Sequence, residues 1–181
     1  MGDFLIKLIR PDLAFSSLRD FIELGGDVLL AIMLATFIMW ALIIERYWHF
    51  ATSQKNISKN AINNWNERSD HSSWYARRIR EKLISEVKQS SERGLLYIKT
   101  LVAAAPLFGL LGTVTGMVEV FDVMAITGSS NARAMAAGIS KATLPTMSGM
   151  VASLSGLFFI AQLESRSKRE VSFVEDNLSL S

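Results

Sequence analysis

The stretch "PLFGLLGTVTG", residues 106–116, opens on a proline and sets three glycines and two threonines inside an otherwise apolar run. Glycine weakens a helix in water, and a threonine hydroxyl finds no solvent in hydrocarbon. In a membrane the same residues have a use. Lipid supplies no hydrophobic drive for helix association, so close packing must supply it, and small residues let backbones approach. Gly109, Gly112 and Gly116 here, with Ala136, Ala137, Gly138, Gly149, Ala152 and Gly156 further along, therefore predict faces that need tightly packed neighbours.

Composition supports a membrane reading. The 181 residues are 50% hydrophobic with a net charge of only +2, and the apolar residues gather into long blocks instead of alternating. There is no cysteine, hence no disulfide framework, thiolate metal site or thiol nucleophile. His49 and His71 are too few and too isolated for a metal centre. Scattered hydroxyls far from either histidine offer no nucleophile and base pair, so the sequence predicts no enzyme and no cofactor.

Three blocks are long enough to span a bilayer, which needs roughly 20 apolar residues. The expected architecture is all-α: an amphipathic helix over 1–27, carrying Phe4, Leu8, Phe15, Leu18 and Ile22 at helical spacing and turning at Gly25-Gly26; spans at 28–45, 98–125 and 134–163; a basic, largely helical loop at 46–97; a connector at 126–133; and a tail at 164–181. Trp40, Tyr47 and Trp48 mark one end of the first span. The helix formers of "SSWYARRIREKLISEVKQSSERGLLYIK" predict a helix continuing into the second span. Basic residues crowd the loop (Arg77, Arg78, Arg80, Lys82, Lys88) and the tail (Arg166, Lys168, Arg169), which places both in the cytoplasm, leaving outside the N-terminus and the connector, whose stretch "ITGSSNA" has no charge. A cleaved signal peptide would have a short basic start and would put the basic loop outside, so the first span is expected to stay. The loop's charge is expected to meet anionic lipid, not nucleic acid.

At 100° per residue, Thr113 shares a face with Pro106, Gly109, Leu110, Met117, Val120 and Met124, and Thr146 shares one with Ile139, Thr143, Met150, Ser153 and Leu157. Counted from the connector, both threonines lie roughly 20 Å deep. A hydroxyl in a membrane helix ordinarily bonds its own i−4 carbonyl. Two at one depth on otherwise apolar faces point instead to a shared cavity, lined by Thr113, Thr146, Pro106 and Ser153.

With these residues in view, "APLFGLLGTVTGMVEVF" resembles the second transmembrane helix of the ExbB/TolQ/MotA proton-channel family, and "GISKATLPTMSGMVASLSGLFF" resembles the third. The resemblance implies a ring-shaped homo-oligomer, a pentamer, in the bacterial inner membrane, around a single-span ExbD-like partner that supplies the protonatable carboxylate. It implies that Thr113 and Thr146 face that carboxylate, that Pro106 stands at a helix start, and that Gly109, Gly112, Gly116, Gly138 and Gly149 pack the helices. The implied function is to energise TonB-dependent uptake across the outer membrane through a TonB-like protein. A TolQ-like role in outer-membrane integrity and a structural scaffold remain the alternatives.

The sequence departs from the family pattern at Lys141, where many members have Glu, and at Thr115, where they have Trp; Pro145 also interrupts the third span. A lysine in hydrocarbon costs about 2.5–3.5 kcal/mol on insertion scales, so it should find a partner. Lys141 points some 140° from Thr146, and Glu119 lies away from Thr113 at similar distance from the connector. These positions predict an ion pair of Lys141 with Glu119, or with Asp122 nearer the surface.

Overall fold

The computed structural model describes residues 11–127 and 132–179, all of it helix and short connections. Among the described residues there are four helices: α1 (Pro11–Asn66), α2 (Trp74–Glu92), α3 (Leu95–Thr127) and α4 (Ala132–Asn177). Three helical stretches are long and apolar enough to cross a membrane. Phe4 and Leu8 of the expected amphipathic helix, the side chains of Phe15 and Leu18, and connector residues 128–131 lie outside what is described.

Helices run further than apolarity does. α1 continues beyond the apolar run to Asn66, into the segment 46–97 expected to be largely helical, and α4 continues past Leu163 to Asn177. Backbone hydrogen bonds propagate a helix once it is nucleated, and 46–66 and 164–177 contain no residue that stops it. Charges instead mark where the apolar part ends: the uncharged runs are 28–44 in α1, 100–118 in α3 and 142–163 in α4. At 1.5 Å per residue these measure roughly 25–33 Å, the thickness of a bilayer's hydrocarbon core.

Breaks fall where glycine permits them. Inside α1, Gly26 has φ 65° and ψ −166°, a conformation that costs glycine little and other residues much. The expected continuous helix from the basic loop into the second span is broken at Arg93 and Gly94, where φ is 83°. Arg46 holds this break: its guanidinium donates to the Arg93 carbonyl at 2.6 Å, where a helix C-terminus offers unpaired carbonyls and partial negative charge. At the other end of α2, Ser73 caps the helix by accepting from the Ala76 N–H at 3.2 Å.

The chain divides into two compact units. One comprises residues up to Phe37 with Ala103–Leu154. Within it, α3 and α4 pack antiparallel along a seam of small residues. The second unit comprises Ile38–Val102 with residues from Ser155 on. It has two apolar clusters, one built on Met39, Ile43, Ile98, Val102, Ile160 and Leu163, the other on Trp65, Ala76, Val87, Val174 and Leu178. Between α1 and α2 in this unit, buried Gln54 donates to Ser91 Oγ at 2.6 Å and accepts from Ser90 Oγ at 3.2 Å. A buried amide so satisfied favours one register, because sliding either helix would strand it.

Candidate functional site

The site is built on the α3–α4 seam. A Cβ on Gly109 would stand 2.9 Å from Thr146 Cα, one on Gly116 would stand 2.6 Å from Ala142 Cβ, and one on Gly149 would stand 2.5 Å from the Ala105 carbonyl oxygen. Gly112 makes room for the ring of buried Pro145, and Gly138 for Val120. Sequence reasoning singled out the glycines by type. It gave no way to know that Pro145, a departure from the family pattern, would be the knob that Gly112 receives.

Both prolines sit inside helices. Pro106, expected at a helix start, lies within α3, which begins at Leu95, and Pro145 lies within α4. The uncharged run starts at Thr100, before Pro106, and the helix that carries it starts earlier still, at Leu95. Neither proline can donate to the carbonyl four residues before it, so each leaves the local helix one hydrogen bond short.

The two threonines are used differently. Thr113 Oγ1 donates to the carbonyl of Leu110 in its own helix at 2.7 Å, the ordinary fate of a membrane hydroxyl. Thr146 Oγ1 crosses the seam and donates to the carbonyl of Gly109 at 2.8 Å. Each hydroxyl keeps acceptor capacity after its proton is committed. Thr115 and Thr143 also bond backward within their helices. Thr113, Thr146, Pro106 and Ser153 are all half-buried.

Lys141 Nζ lies 2.8 Å from Glu119 Oε2, bridging α4 and α3. The pair is partly open, Lys141 being 36% and Glu119 60% exposed in the chain alone, and Asp122 is exposed one turn nearer the connector. It marks the connector end of the uncharged runs 100–118 and 142–163. Thr113 and Thr146 therefore sit roughly 8–9 Å along their helices from this charged layer. By helical phase the ion pair and the threonines occupy opposite flanks of the seam.

The second unit holds contacts that no sequence pattern pointed to. Lys99 and Glu164 form an ion pair between α3 and α4 at the far ends of the same two uncharged runs. Tyr47 hydrogen-bonds Gln162, and Arg166 lies over the Tyr47 ring at 5.0 Å. The available signal was that Lys99 and Glu164 are the first charges met beyond each run. Among the described residues no group of three or more His, Asp or Glu is placed to hold a metal ion.

A family model, the MotA/TolQ/ExbB proton channel family, matches residues 50–176. The ExbB-like 1 biopolymer transport protein of Synechocystis sp. is 36% identical over 84 residues, 45% of this chain and 33% of that protein. An ExbB-like 1 biopolymer transport protein of Helicobacter pylori is 28% identical over 93 residues, 51% of this chain and 49% of that protein. The biopolymer transport protein ExbB of Salmonella typhimurium is 26% identical over 164 residues, 70% of this chain and 67% of that protein. The chain thus spans a third to a half of the first two of these relatives. Matched over most of its length, and folded as three apolar helices with a small-residue seam, the chain belongs to the MotA/TolQ/ExbB proton channel family.

Proposed function

We propose that this chain is the ring-forming subunit of an ExbB–ExbD type complex in the bacterial inner membrane, which uses the proton-motive force to energise TonB-dependent uptake across the outer membrane. The observation that carries this reading is the sorting of polar groups about the α3–α4 seam: Thr113 and Thr146 on one flank, the Lys141–Glu119 pair on the other. A proton path needs a titrating group or a water chain, and a buried carboxylate is the usual carrier. Within the uncharged runs 100–118 and 142–163 the threonine flank carries hydroxyls and no carboxylate. In this reading the carboxylate comes from a single-span ExbD-like partner inside the ring, and the hydroxyls hydrate or contact it. A TonB-like protein receives the resulting motion. Each proton releases about 2.3 kcal/mol per 100 mV of potential, so a few protons suffice to drive a conformational step.

The test is the double variant Thr113→Val/Thr146→Val, which keeps shape and removes both hydroxyls. Assembly with the partner should be retained, while proton-driven uptake falls to the level of uncoupled cells. Full energy-dependent uptake by the double variant would overturn the reading.

A further inference from the structure

We propose that Glu164, held by Lys99, is the group through which protons leave the pathway on the side away from the connector. The inference rests on the channel reading above and extends it to an exit that the threonines do not supply.

Three observations converge on Glu164. First, Thr146, Ser153, Leu157 and Glu164 recur along α4 at steps of seven, four and seven, which keeps each within about 40° of the next on a regular helix. Second, Glu164 is the first charge beyond the uncharged run 142–163, and its partner Lys99 is the first before the run 100–118. A proton that has passed the apolar stretch along this face meets this pair before any other ionisable group on α3 or α4. Third, the pair is not sealed in protein. Lys99 and Glu164 line a cavity of about 350 Å³ together with Glu92, Leu95, Leu96, Ser167 and Lys168. That volume holds several waters, and Glu92, Ser167 and Lys168 give them polar partners.

The step balances without any further reactant. A proton carried by water in the pathway binds a Glu164 carboxylate oxygen, and the attraction to the Lys99 ammonium is lost. The carboxylic acid then releases the proton to cavity water and re-forms the pair. The Lys99 ammonium takes no part in the transfer and is the partner to which the carboxylate returns. At Lys141–Glu119 the pair lies on the flank away from the threonines, so it serves no such relay.

The test uses the whole complex, chain plus single-span partner, in proteoliposomes under an imposed potential with an internal pH dye. Glu164→Gln should reduce proton flux about tenfold or more in weakly buffered medium, the scale of losing a proton-transfer group. Imidazole on the exit side should restore flux by carrying the proton in place of the carboxylate, and Glu164→Asp should keep most of it. The double variant Lys99→Gln/Glu164→Gln, which leaves no unpaired lysine, should behave like Glu164→Gln and be equally rescued. Wild-type flux in Glu164→Gln overturns the inference, and so does a loss that neither imidazole nor aspartate restores, since that is the mark of a structural pair. Thr113→Val/Thr146→Val, run alongside, separates the two readings. Flux lost there but unchanged in Glu164→Gln removes the exit and keeps the channel, whereas a wild-type complex without proton flux removes both.

Discussion

At the scale of single residues, the most informative position is Lys141, where the sequence leaves its family's pattern. Its partner could be proposed from helical phase alone, because two antiparallel helices joined by a short connector place residues equidistant from the turn at one level. Distance and exposure came only from the fold. At 2.8 Å the contact is a direct ion pair, and with 36% and 60% of the two side chains exposed it is screened rather than buried. The chain alone should therefore gain little from it, about 1 kcal/mol or less, the range of open ion pairs. Lys141→Met should lower the thermal stability of the assembled protein modestly, and adding Glu119→Gln should restore part of the loss, because the second change removes the stranded carboxylate. Equal melting temperatures for the single and double variants would show that the pair does not couple. Thr146 carries a related lesson. Its hydroxyl was legible as polar and deep, but its bond to the Gly109 carbonyl depends on a helix approach that no single position encodes.

At the scale of elements, helix existence was readable from long apolar runs and helix ends were not. The segment from 46 reads as largely helical, but only the structure shows it joined to the first span in one helix, α1, which continues to Asn66 because nothing there interrupts backbone hydrogen bonding. Conversely, good helix formers suggested one helix across 93–95, where the structure has a break. The decisive group is Arg46, far away in sequence, whose guanidinium reaches the Arg93 carbonyl. Propensity is local and weak, so one charge-assisted hydrogen bond from a packed neighbour overrides it. The break leads to a prediction. Gly94 has φ 83°, and a Cβ there would meet Arg46 Nε at 3.2 Å, so Gly94→Ala combines a left-handed conformation with a tight contact. The substitution should cost about 1–2 kcal/mol, read as a lowered midpoint of thermal unfolding in detergent. A midpoint equal to wild type would mean that the break relaxes into continuous helix.

For the whole molecule, the small-residue stripe has to be assigned once. Glycines at 109, 112, 116, 138 and 149 suggested faces that need neighbours, and those faces are filled by the α3–α4 seam of one chain. Assembly therefore rests on what the fold leaves open: the half-buried Thr113 and Thr146 on one flank and the partly exposed Lys141–Glu119 pair on the other. Lipid tolerates the charged flank poorly, so a further chain should cover it. The purified chain, without partner, should run as a homo-oligomer by native mass measurement from lipid nanodiscs, and a monodisperse monomer would count against this. The sequence by itself determined the all-α membrane class, the three apolar runs, the candidate threonines and the family, because each depends on composition, period or motif, which are properties of neighbouring positions. Only the tertiary structure decided that Pro145 fills Gly112, that Thr146 bonds the opposite helix, that Arg46 caps a helix 47 residues away, and that Lys99 meets Glu164. Those contacts join residues distant in the chain, and their strength comes from the close approach of packed helices, which no local pattern of residues specifies.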